Sequence, residues 1–154
     1  VKGMTIRIIN VHMQTTSFDR MRSKAAQARG EQDEEQERGI YLGYSDNFRE
    51  NTVRRAGQAE QISSLINATE YPLIVCGDFN DSPISYTHRV VGEGLNDAFV
   101  ESGNGFGISY NQNHFYFRID NILLSKNLKS YRCTVDNTIK SSDHYPIWCY
   151  VAEK

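Results

Sequence analysis

The sequence is poor in the residues that interrupt or staple a chain. Among 154 residues there are three Pro, eleven Gly and three Cys. Cys76, Cys133 and Cys149 cannot all pair with one another, so a disulfide scaffold is excluded. Each sits in an apolar, strand-like run, where a free thiol behaves as a small core hydrophobe, and the count points to a reducing compartment. No window approaches ~20 consecutive apolar residues, the length a helix needs to cross a bilayer. No basic block is present either. Seventeen Lys and Arg face nineteen Asp and Glu, a formal charge of −2, which argues against a module that grips nucleic acid through its phosphates. No repeat, low-complexity segment or linker divides the chain. What is present is 39% apolar residues with nine Tyr and seven Phe, enough for a core, and one domain over residues 1–154 is expected.

Residues 5–13, T-I-R-I-I-N-V-H-M, predict a first strand. Residues 17–30 predict a helix capped by Ser17 or Asp19. Residues 31–38 hold five acids and one base, a solvated helix face or a loop. In residues 51–68, Val53, Ala56, Ala59, Ile62, Leu65 and Ile66 recur at helical spacing and predict one apolar stripe against a sheet. The wholly apolar Leu73-Ile74-Val75-Cys76 predicts a central strand ended by Gly77. Asp81-Ser82-Pro83 predicts a helix entry with Pro83 in the first turn, a helix over 84–91, and a stop at Gly92 and Gly94. Residues 103–113 read as a loop, and 115–125, 128–136 and 146–151 as strands. This order predicts an α/β (α+β) chain with one mixed, mainly antiparallel sheet and helices on one face, which leaves the other face needing cover.

Acid–base-capable residues gather at the ends of these strands, where rigid elements place side chains better than loops do. The strings are Asn10-Val11-His12, Gly77-Asp78-Phe79-Asn80, Arg118-Ile119-Asp120-Asn121-Ile122-Leu123 and Ser142-Asp143-His144-Tyr145-Pro146. Singly, each is ordinary: Asp-Phe-Asn after a strand is a common turn, and Asp-His a common surface pair. Jointly, with Arg54 and Gln58 spaced as R-x-x-x-Q, they resemble the endonuclease/exonuclease/phosphatase superfamily. These are metal-dependent phosphohydrolases similar to deoxyribonuclease I, neutral sphingomyelinase and the inositol-polyphosphate 5-phosphatases. G-D-F-N and S-D-H-Y-P match the family's motifs unchanged, and R-I-D-N-I-L is one substitution from R-I-D-Y-I-L.

The resemblance spans nearly the whole chain but only the second half of the family's domain. It implies half of a four-layer αββα sandwich, a single truncated domain whose N-terminal half is missing. That half carries a metal-binding Glu and an Asn that have no counterpart here. The implied activity is divalent-metal-dependent hydrolysis of a phosphodiester or phosphomonoester by in-line water attack, weak or absent in this piece alone. In that reading Asp78 orients or deprotonates the water. Asn80 donates its amide to a non-bridging oxygen. His144 holds such an oxygen or moves a proton, with Asp120 fixing its tautomer. His12 assists the leaving group, and Asn10 supports the phosphate site. Asp143 is the hard ligand of an incomplete site for Mg²⁺ or Mn²⁺. Arg54 and Gln58 are structural supports.

The substrate is a phosphate ester of unassigned class, without strong nucleic-acid binding, and residues 14–44 and 103–113 are expected to select it. Tyr110, Tyr116 and Tyr145 are candidates for its mouth. His88 and His114 lack polar company and are expected at the surface. A different class of function stays open. A half-sandwich exposes a sheet face, and such a face forms a homodimer or docks another chain. Some bacterial relatives carry membrane-spanning segments ahead of the catalytic region, so attachment of the parent protein to a membrane stays open as well.

Overall fold

Strand β1 (Arg7–His12) is followed by helices α1 (Phe18–Gly30) and α2 (Glu34–Asn67). The computed structural model describes residues 3–16, 18–31, 33–112 and 116–154; Ser17 and His114 therefore lie outside the described residues. The acidic run proves to be the start of α2. Asp33 caps it, its carboxylate accepting from the Gln36 amide at 2.8 Å, and Glu34, Glu35 and Glu37 sit in the first turn near the positive end of the helix dipole. The helix therefore begins 17 residues before the expected 51, and its N-terminal half leaves Tyr41, Leu42 and Phe48 exposed. Its inward stripe is Arg55, Ala59, Ile62 and Ile66, while Val53 and Leu65 face water.

Strand β2 (Leu73–Asp78), helix α3 (Tyr86–Gly92), strand β3 (Leu95–Asp97), helix α4 (Ala98–Ser102) and strand β4 (Asp120–Ser125) follow. The strands form a four-stranded sheet in the order β1-β2-β4-β3. β1 lies parallel to β2, and β4 runs antiparallel to both β2 and β3. Gly77 does not end β2: it stays paired with Val11 on one side and Asn121 on the other. Pro83 does not open α3; Ser85 does, its hydroxyl accepting from the His88 amide. Leu73, Val75 and Leu123 point to one face and bury against Ala59 of α2 and Val91 of α3.

The chain is mixed α/β with a mixed sheet, helices α2 and α3 on one face and the short α4 on the other, but the strands do not all join one sheet. Strands β5 (Leu128–Val135) and β6 (Ile147–Glu153) pair only with each other among the described residues. A register shift between Tyr131 and Thr134, with Arg132 at φ +51°, bends this ribbon. Its inner side chains, Leu128, Cys133, Ile147, Cys149 and Val151, then pack on Ile74, Ile122 and Leu124. The face expected to stand open is thus partly covered from within the chain, and Ile8 on the edge strand stays 65% exposed. The three Cys are free, as read from their runs.

A buried polar knot ties α3, β3 and the start of β4 together. Asp97 caps α4 and accepts from both ends of the Arg118 guanidinium at 2.7 and 3.2 Å. His88 Nε2 lies 3.1 Å from the same carboxylate. The surface position expected for His88 is therefore corrected: helix α3 turns it inward onto Asp97. Burial alone would push the Asp97 carboxyl up, but hydrogen bonds from His88 and Arg118, with Arg118's charge, outweigh it and hold the group at about 2. Because the folded value is the lower one, this stability is present above the unfolded value near pH 4 and is lost as pH falls toward 2. Urea midpoints measured from pH 5 to pH 2 should fall by the equivalent of about 2 kcal/mol from this group, and Asp97→Asn should flatten that part of the slope.

Candidate active site

Register places the first three functional side chains. His12 pairs with Asp78 across β1 and β2, and Asp78 pairs with Asp120 across β2 and β4. The three therefore stand in one row, on one face, at one end of the sheet. The close approach of β1 needs Gly77. Its φ is +131°, and a Cβ there would lie 2.0 Å from the Val11 carbonyl oxygen.

Beyond Asp78 the chain turns sharply. Phe79 donates its amide to the Ile119 carbonyl at 2.8 Å and buries its ring completely. Asn80 sits at φ +49°, a left-handed conformation that Asn tolerates. There it grips the Asp78 carboxylate twice: its backbone N–H donates to Oδ1 at 2.7 Å, and its side-chain Nδ2 to Oδ2 at 2.8 Å. The second Nδ2 hydrogen goes to the Met13 carbonyl at 3.0 Å. Both amide hydrogens are thus engaged within the protein. Here the Asn80 side chain holds Asp78.

His144 arrives from the segment before β6 and places Nδ1 2.8 Å from Asp120 Oδ2. The carboxylate can only accept, so Nδ1 carries the hydrogen and Nε2 is left for other work. The Tyr110 ring stands edge-on to the imidazole, 5.2 Å between centroids. The hydrogen bond to Asp120 raises the His144 pKa, against burial, which lowers it. For Asp78, burial raises the carboxyl and the charge of Asp120 adds to this, while the Asn80 amide pulls it back only in part. Both groups thus titrate above their ordinary values, shifts of the kind found at proton-transferring sites.

Ligand atoms of Asp78, Asp120 and His144 all lie within 4.8 Å of one another. Two hard carboxylates and an imidazole fit a divalent cation such as Mg²⁺ or Mn²⁺. Asp143, expected as the metal ligand, is exposed at the rim, where its carboxylate accepts from Ser142 Oγ at 3.1 Å, and it stands outside that group. These groups open into a cavity of about 720 Å³ whose further walls include Phe48, Arg55, Tyr110 and Ile119. His12 is at the mouth, its side chain 76% exposed and Nε2 3.6 Å from Asp78 Oδ2.

Other expectations fare differently. Asn10 shares the face of His12 but lies two residues back along β1, roughly 6–7 Å away, with Oδ1 over Gly77 and outside the cavity wall. Tyr116 and Tyr145 line a second hollow of about 410 Å³ instead. Arg54 points to solvent and pairs with Glu50 one turn away. The supporting arginine is its neighbour Arg55, 2% exposed. Arg55 donates to the Gln14 carbonyl at 3.0 Å, to Thr52 at 3.2 Å, and to Thr16 and Asp81 at 3.4 Å each. Gln58 accepts from the Gln14 amide at 2.9 Å, so Arg55 and Gln58 together hold the chain as it leaves β1. Helix phase was the available signal, since Arg55 shares the stripe of Ala59, Ile62 and Ile66. Arg55→Met should lower unfolding free energy by about 3 kcal/mol, because it removes a buried guanidinium that holds four groups and leaves the half-buried Asp81 carboxylate without its charged partner. Arg54→Ala should lower it by about 0.5 kcal/mol or less, and denaturant titration of the two variants checks the contrast.

A family model described as the Endonuclease/Exonuclease/phosphatase family matches residues 19–144. No curated protein matches the chain. Among solved structures, truncated Caenorhabditis elegans TDP2 is 18% identical with a TM-score of 0.57, covering 96% of this chain and 54% of its own. The endonuclease/exonuclease/phosphatase from Bacteroides vulgatus is 19% identical with a TM-score of 0.56, covering 67% of this chain and 45% of its own. The human Nocturnin catalytic domain, solved with bound sulfate, is 20% identical with a TM-score of 0.50, covering 70% and 42%. At such identities the likeness is one of fold, and the chain spans about half the length of the structures it matches.

Proposed function

The chain belongs to the endonuclease/exonuclease/phosphatase family, and from that premise we propose that it carries the acid–base half of a divalent-metal-dependent phosphoesterase, the remaining ligands coming from the other half of the family's domain. The observation that carries this reading is the 2.8 Å bond between His144 and Asp120, residues 24 apart, with the Asp78 carboxylate beside it. Of the converging groups, the carboxylates of Asp78 and Asp120 would hold the cation, which supplies positive charge beside the phosphoryl oxygens.

The chain's own residues supply the rest. Asp78, kept in place by Asn80, orients a water in line with the ester bond and accepts its proton as the oxygen attacks phosphorus. His144, its tautomer fixed by Asp120, directs Nε2 at the phosphate and stabilises the charge that builds on a non-bridging oxygen. The P–O ester bond breaks, and His12, exposed at the mouth, delivers a proton to the departing oxygen. Water is consumed, and an alcohol and a phosphate are formed.

The test is hydrolysis of bis(p-nitrophenyl) phosphate with Mg²⁺ or Mn²⁺, by this chain and by a fusion that adds the other half of a family domain. Turnover abolished by EDTA and restored by the metal is the expected result. Its absence from both proteins would sink the proposal.

A further inference from the structure

Ser109 lies in none of the four motifs, and its side chain is completely buried. Its Oγ accepts from two consecutive backbone amides, Ile119 and Asp120, at 3.1 Å each. Its carbonyl accepts from the amide of Tyr145 at 2.7 Å, and its own amide donates to the Phe117 carbonyl at 3.0 Å. One of these bonds thus ends on Asp120 itself and another on the residue after His144. The neighbouring Tyr110 bridges the same two segments, pairing with Phe117 and with His144, and sets its ring against the imidazole.

The geometry points to Ser109 as a positioning residue that fixes the distance between Asp120 and His144, and so the orientation of the imidazole. The two partners come from different supports, β4 of the main sheet and the segment leading into β6 of the ribbon. A hydrogen bond of 2.8 Å between them depends on how those supports are joined. Ser109 joins them through one residue: its side-chain oxygen holds one partner and its backbone oxygen the other. A group acting this way leaves substrate binding alone and changes the turnover step, since small misplacements of reacting groups cost rate steeply.

The inference rests on the phosphoesterase reading for its kinetic consequence and on the fold alone for its structural one, so the experiment has separate arms. In the unsubstituted protein, hydrogen exchange should show the Asp120 and Tyr145 amides protected to within about tenfold of each other, as expected of one cooperative unit. Fast exchange at Tyr145 beside slow exchange at Asp120 would overturn the inference before any variant is made. Ser109→Cys then keeps the shape but replaces the oxygen with a poor acceptor, and Ser109→Ala removes it. In whichever variant folds, the proton signal of His144 Nδ1–H should broaden or vanish in NMR spectra. Where EDTA-sensitive turnover exists, kcat should fall about tenfold or more while KM stays within about twofold. A folded variant that keeps the Nδ1–H signal has lost only stability, and the positioning role is then wrong. Absence of turnover in the unsubstituted protein defeats the phosphoesterase reading and leaves the NMR and exchange arms to decide this one.

Discussion

His144→Ala is expected to lower kcat on an aryl phosphodiester by about three orders of magnitude, within the range that positioned acid–base groups supply. The side chain is half-buried at the cavity wall and supports no hydrophobic cluster, so the circular dichroism spectrum should be kept, while the melting temperature falls modestly because the half-buried Asp120 carboxylate loses its partner. Asp120→Asn should do nearly as much damage by a different route. The amide can still meet Nδ1, but it no longer stabilises a charged imidazole or dictates the tautomer. Asp120 raises the His144 pKa, so in this variant the imidazole loses its proton at lower pH, and the corresponding limb of the rate profile should move down. With the cation saturating, the double variant should have a kcat no worse than that of His144→Ala alone, because in orienting the imidazole the two act as one unit. Additive losses in that cycle would separate Asp120 from His144 and break the reading of the pair.

Gly77→Ala should be among the most destructive single substitutions in the chain. The new Cβ would meet the Val11 carbonyl oxygen at 2.0 Å, the Val11 nitrogen at 2.9 Å and Asn10 Oδ1 at 3.0 Å, all but the last fixed backbone. The φ of +131° is also one that L residues rarely adopt. Relief requires prying β1 from β2, which breaks the row of His12 and Asp78. A loss of about 4 kcal/mol is expected, and at this chain length that lowers the melting temperature by roughly 10 °C. Gly94→Ala is the control: it shares a positive φ, +75°, but nothing lies within 4 Å of its added carbon, so about 1 kcal/mol of backbone strain is all it should show. Calorimetric scans of the two variants separate collision from strain.

Much of the site was legible because its signals are local. Asp78, Asp120 and His144 sit at the ends of apolar runs, and those runs do become strands that end together. What was not legible depends on contacts between distant segments. A lone His at position 88 looks exposed until α3 folds it onto Asp97, and a glycine at 77 looks like a stop until β1 is laid beside it. Arg54 and Arg55 differ by one residue and about 100° of helix rotation, and only the phase of Ala59, Ile62 and Ile66 tells them apart. Strand β3 and helix α4 are three and five residues long, too short for periodicity to show. In the N-terminal half of α2 the apolar residues that turn partly inward are Ile40 and Tyr44, too thin a stripe to announce a helix, and besides its cap and acidic first turn the helix packs against α1. The bulge at Arg132 that bends the β5–β6 ribbon is marked by no composition rule.

The row made by His12, Asp78 and Asp120 sets different tolerances for two kinds of genetic change. A substitution at any of the three removes one group and leaves the others aimed. A one-residue insertion or deletion within β2 would flip Asp78 to the helix-covered side while its companions stayed behind, and no substitution in the same strand would bring it back. Length variation in this chain should therefore collect between the strands, and the spacing within each should be the slower of the two to drift.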